Sequence, residues 1–165
     1  MMRIFDSRFS RNKSRYVFQC ALATCCVLVV LGLLDVVSDT VVIASLGASS
    51  FLVFAVPDGN VSRARYLLGG YVLGCAAGTG CYWLAQWVPL VNLPIESVTV
   101  YGALAVGLTM FLMVITNTEH PPAAGVALGL VVQQWCWGTV LVAIAGVVSL
   151  LALRALLRPV LIRLV

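Results

Sequence analysis

Charge is scarce in this chain. Charged residues make up 10% of it and apolar ones 62%, and the mean hydropathy is +1.06. That is far more apolar side chain than a soluble core of this length could bury, which excludes a water-soluble domain. Histidine occurs once and acidic residues six times, too few to build a zinc site, so no metal or other cofactor is expected. The six cysteines, Cys20, Cys25, Cys26, Cys75, Cys81 and Cys136, lie within or at the ends of apolar segments without paired C-x-x-C spacing. They read as small buried hydrophobes and not as a disulfide frame or metal cage. Ser49 stands in Gly-Ala-Ser-Ser rather than in the G-x-S-x-G elbow of a nucleophile. No other enzymatic constellation is present, and the chain is not expected to be an enzyme.

What is there is a succession of apolar stretches. A spanning helix needs roughly 20 apolar residues; the segments 16–37, 39–56, 66–88, 98–115 and 138–157 approach that length, and one from the His-Pro-Pro stretch at 120–122 to about 134 is barely long enough. The fold class expected is an all-α polytopic transmembrane bundle of about six short segments. Residues 1–15 form a basic leading segment, 16–157 the membrane domain and 158–165 a basic tail. Ile4, Phe5 and Phe9 among the first cations suit an interfacial helix on anionic lipid. The apolar run that follows is too long for a signal peptide.

The net charge of +4 matters less than its placement, and no nucleic-acid partner is expected. Every Lys and Arg lies in 3–15, at Arg63 and Arg65, or in 154–163. By the positive-inside rule these three places face the cytoplasm, so six crossings put both termini there. The turns around Asp35, Asp39 and Glu96 contain no Lys or Arg and fit the other side. Gly70, Gly74 and Gly78 repeat every four residues in the third span, leaving a nearly bare face for close helix packing. Tyr82, Trp83 and Trp87 mark its interfacial end.

Two segments are short and interrupted. The second holds Gly47, Ala48, Ser49 and Ser50; the fifth opens on His120, Pro121 and Pro122, preceded by Asn117, Thr118 and Glu119. Each half thus runs long, short, long, the arrangement of an inverted 3+3 repeat with broken helices, whose breaks point to a midplane binding site. A helix beginning in low dielectric offers unpaired N–H groups and a partial positive charge, which suits an anion. The expected substrate-binding set is therefore Gly47, Ala48, Ser49, Ser50, Asn117, Thr118, His120, Pro121 and Pro122. In this scheme a small anion sits between two helix N-termini and His120 donates a hydrogen bond or carries a proton.

The stretch from Ala44 to Gly74, ASLGASSFLVFAVPDGNVSRARYLLGGYVLG, and that from Thr116 to Leu130, TNTEHPPAAGVALGL, together resemble the HPP family of integral membrane proteins, named for its His-Pro-Pro motif. Family members in chloroplasts and cyanobacteria are known as nitrite transporters, so the resemblance implies transport of a small inorganic anion, nitrite first. Without the composition of an organellar transit peptide or an appended CBS pair, the chain is expected to be a compact bacterial plasma-membrane protein. So few helices enclose little protected volume, and a homo-oligomer is expected. Two other readings fit the same residues: a membrane scaffold whose His-Pro-Pro is structural, and a passive anion channel.

Overall fold

The computed structural model describes residues 13–34, 40–88, 96–133 and 135–164. The expected interfacial helix around Ile4, Phe5 and Phe9, and the turns holding Asp35, Asp39 and residues 89–95, lie outside the described residues. Among the described residues six helices follow in order: α1 (Lys13–Leu34), α2 (Thr40–Ala55), α3 (Ala64–Trp87), α4 (Ser97–Thr116), α5 (Pro122–Val132) and α6 (Trp137–Leu157), with a 3-10 turn at Asn60–Ser62 between α2 and α3. Continuous helix is what apolar sequence adopts in a bilayer, because every backbone N–H and C=O must find its partner inside the segment. Four of the helices are long and apolar enough to cross a membrane, while α2 and α5 are shorter. At 1.5 Å per residue, the 11 residues of α5 reach only about 16 Å, roughly half of a hydrocarbon core.

The expected interruption at Gly47–Ser50 is absent, since α2 runs unbroken through it. The physical reason is local. Ser45 Oγ donates to the Val41 carbonyl at 2.9 Å and Ser50 Oγ to the Gly47 carbonyl at 2.7 Å, so the hydroxyls satisfy themselves on their own helix. The second interruption is present. Helix α4 stops at Asn117, whose left-handed backbone (φ 54°, ψ 55°) ends it, and Pro121 and Pro122 start α5 without needing backbone donors. Each half keeps its long, short, long rhythm, but only the second contains a broken element.

Helix α5 is held between α3 and α4, with α2 on its far side. The glycine face of α3 makes this possible. A Cβ at Gly78 would lie 2.8 Å from the Ala127 carbonyl oxygen, and one at Gly70 would lie 2.8 Å from His120 Cβ, so Gly70, Gly74 and Gly78 meet Ala123 and Ala127 almost backbone to backbone. On the other side, Gly146 of α6 receives Leu46 of α2. Val42, Val53, Leu67, Val126, Leu130 and Val147 fill the space between. Outward-facing Leu28, Phe111, Val114, Leu141 and Leu156 are each more than 60% exposed, as side chains that face lipid are.

The two ends of the bundle differ. Arg154 donates to the Pro57 carbonyl, Arg65 to the Thr116 carbonyl, and the Leu164 amide to the Ala55 carbonyl. Together with the Tyr16 hydroxyl on the Leu164 carbonyl, these bonds gather the start of α1, the α2–α3 turn, the end of α4 and the end of α6, and hence the described cations, at one end. At the opposite end Trp135 packs against Trp83 and Trp137, with ring centroids 5.5 and 5.0 Å apart, and its indole N–H donates to Thr79.

Candidate functional site

The polar heart of the molecule lies where α5 begins. The turn after α2 is fixed by Ser62, whose hydroxyl lies 2.8 Å from both the Leu52 and Val56 carbonyls. That turn aims the Val61 carbonyl at His120 Nδ1, 3.0 Å away. Because a carbonyl only accepts, Nδ1 carries the hydrogen, and in the neutral ring Nε2 is left as an acceptor. Nε2 stands 2.8 Å from Ser49 Oγ, which in turn stands 2.9 Å from the Tyr71 hydroxyl. Proton donation therefore runs one way, from Tyr71 to Ser49 to His120 to Val61. All three side chains have no exposed surface. Counting along the helices, Ser49 lies six residues before the end of α2 and Tyr71 seven after the start of α3, which places the chain about 10 Å inside the cation-bearing end.

Helix starts are where free amides are expected, yet this one offers few. Pro121 and Pro122 have no N–H, the His120 N–H donates to Met113 Sδ, and the Ala123 and Ala124 amides turn back to the His120 and Pro121 carbonyls. The opposed, amide-rich N-termini expected from the sequence are not formed: one belongs to an unbroken helix, and the other uses up its donors. Asn117 and Thr118 belong to the end of α4 instead. The Asn117 and Thr118 amides close onto carbonyls of that helix, and Thr118 Oγ1 shares a hydrogen bond with Thr116 Oγ1 at 2.8 Å.

Two cavities flank the His-Pro-Pro segment. A groove of about 680 Å³ opens between α2 and α5, walled by Val41, Ala44, Ala48, Phe51, Pro122 and Gly125, with Ser45 as its hydroxyl. A smaller one of about 230 Å³, between α4 and α5, is lined by Met110, Met113, Glu119, His120 and Pro121; Pro121 walls both. Of the expected residues, the structure joins Ser49 to His120 directly and places Ala48, Pro121 and Pro122 on the groove. Gly47 contributes its carbonyl to Ser50, and a Cβ there would meet nothing within 4 Å. Sequence reasoning missed Tyr71, the Val61 carbonyl and Met113. For Tyr71 a signal existed, since a tyrosine buried in a glycine-rich span needs a partner for its hydroxyl.

Among the described residues, six apolar helices, four of spanning length, around a buried imidazole–hydroxyl chain define a multi-pass helical membrane protein. The chain belongs to the HPP transmembrane family: the model of the HPP transmembrane region matches residues 9–162. A transmembrane protein of Dictyostelium discoideum is 34% identical over 98 residues, which cover 58% of this chain and 32% of that protein. The chain thus spans about a third of the length of that relative. No solved structure matches.

Proposed function

We propose that this protein carries a small monovalent anion, nitrite first, across the membrane together with a proton, acting as a transporter and not as an enzyme. The observation that carries the reading is the dry hydrogen-bond chain from Tyr71 through Ser49 to His120, set where a half-length helix begins beside an open groove. Polar groups at this depth are costly, and in membrane proteins they mark solute or proton paths. The groove offers an anion nothing to replace its water, because its hydroxyl, Ser45, already donates to Val41. The same solute as its neutral conjugate acid meets no such penalty. Exposed Arg63, Arg65 and Arg158 concentrate anions at the near mouth, and the buried imidazole further in supplies a group that carries the proton. A homo-oligomer in a bacterial plasma membrane, both termini cytoplasmic, completes the proposal.

The test is nitrite uptake into proteoliposomes with a pH dye inside and empty liposomes as control. Flux above the control, with coupled pH change and no response to a clamped membrane potential, is the expected result. His120→Ala removes it while helix content and monodispersity persist. Absence of flux overturns the reading, and flux that follows voltage without a pH change means a channel. One observation favours a structural alternative: the chain of bonds is complete and sealed, as a pin between α2, α3 and α5 would be. Under that alternative, His120→Ala lowers stability and no solute moves with wild type.

A further inference from the structure

At the cation-bearing end the chain after α6 folds back over the start of α1. Gln19, buried in α1, receives the Ile162 N–H on Oε1 at 3.0 Å and donates from Nε2 to the Ile162 carbonyl at 2.7 Å and to the Phe54 carbonyl. The Tyr16 hydroxyl donates to the Leu164 carbonyl at 2.7 Å. Between this returning strand of chain and the first turns of α1 lies a cavity of about 390 Å³, lined by Arg15, Phe18, Gln19, Pro159, Val160 and Ile162. Behind Gln19, which walls both, a second cavity of about 220 Å³ is bounded by Cys20, Ala23, Phe51, Phe54 and Leu164.

We infer that these two cavities, which share Gln19 as a wall, bind one anionic phospholipid, its phosphate on Arg15 and one acyl chain against the apolar cavity. Three observations select this occupant. The polar cavity carries a guanidinium at the height of the membrane interface, next to Phe18 and Val160, which are 56% and 52% exposed and face where lipid lies. Its other wall, 159–162, is bracketed by Arg158 and Arg163, which set two further cations beside it. The compartment beyond Gln19 is wholly apolar in its side chains apart from the Tyr16 hydroxyl and the Gln19 amide. It suits a hydrocarbon tail and offers nothing to a free phosphate. A lipid seated this way ties the terminal strand of chain to α1. The inference does not depend on what the protein transports.

Thermal unfolding of the full chain in mild detergent tests it with three probes: phosphatidylglycerol, phosphatidylcholine and soluble glycerol phosphate. Phosphatidylglycerol is expected to raise the midpoint by several degrees while the other two do not, and native mass spectrometry is expected to retain one phosphatidylglycerol per chain. Arg15→Gln, at an exposed position, weakens lipid retention roughly fivefold, the loss expected for one cation near the surface. Val160→Trp, which fills the cavity, abolishes the shift. Equal protection by phosphatidylcholine, equal protection by glycerol phosphate, or an undiminished shift in Arg15→Gln overturns the inference.

Discussion

At the scale of single residues, Ser49 has the most exacting position, because it accepts from Tyr71 and donates to His120 at once. Ser49→Ala strands two buried polar atoms, a phenol hydrogen and an imidazole lone pair, whereas Tyr71→Phe removes a donor that Ser49 does not need to satisfy His120. Detergent unfolding is expected to show Ser49→Ala costing about 1–3 kcal/mol and Tyr71→Phe less, with the double mutant falling short of the sum. The glycines of α3 and α4 divide in the same spirit. A methyl at Gly78 runs into the backbone of Ala127, while one at Gly80 or Gly107 meets nothing within 4 Å. Gly78→Ala is expected to destabilise by about 1–3 kcal/mol; Gly80→Ala and Gly107→Ala are expected to be neutral or to gain up to about 1 kcal/mol in helix propensity. Thermal midpoints of the three variants check this. His120 and Ser49 could be singled out in the sequence because a polar side chain in an apolar run is visible as such. The Val61 carbonyl could not, since every residue has one and only the fold decides which points at an imidazole.

Among the elements, the contrast between α2 and α5 explains what hydropathy reading got right and where it failed. Apolar length bounded by cations, glycine or proline placed the six helices to within a few residues. It also marked α5 as short, because proline is a covalent fact that no environment reverses. Glycine and serine are different. Their reputation as helix breakers comes from water and from turns, and with water excluded Ser45 and Ser50 bond back to their own helix and α2 continues. The expected amide-rich break at Gly47–Ser50 was therefore a rule of soluble proteins carried into a solvent where it does not hold. The terminal strand of chain, residues 158–164, is tied down by Tyr16 and Ala55 at Leu164 and by Gln19 at Ile162. Gln19→Leu keeps the volume and removes its bonds to Phe54 and Ile162. Hydrogen exchange at the Ile162 and Leu164 amides is expected to quicken by about tenfold or more, a loss of at least about 1.4 kcal/mol of local protection, with exchange in α3 and α5 unchanged. Slow exchange in the variant would show that Tyr16 and Ala55 alone hold the strand.

On the scale of the whole molecule, the bundle is polarised along its axis. The described arginines and Lys13 gather where α1 begins and α2, α4 and α6 end, and the four tryptophans lie toward the other end. Two independent preferences agree on this axis: cations are retained on the cytoplasmic side, and indoles settle at the membrane interface. The buried His120 chain lies nearer the cationic end, so under the proposed transport a solute reaching it from that side would cross far less bilayer than one arriving from the tryptophan end. Sidedness therefore bears on that proposal and can be measured directly. In a cysteine-free background, single cysteines at Asn60, Arg158 and Glu96 report both ends, the first two beside the cations and the third at the start of α4. An impermeant maleimide added to intact bacterial cells is expected to label Glu96→Cys and to reach Asn60→Cys and Arg158→Cys only after permeabilisation. The reverse pattern would place the arginines outside and His120 near the external face. Labelling of Asn60→Cys and Arg158→Cys from opposite sides would mean that the shortened α5 does not count as a crossing, which would divide the cationic end that the Arg154–Pro57 bond holds together.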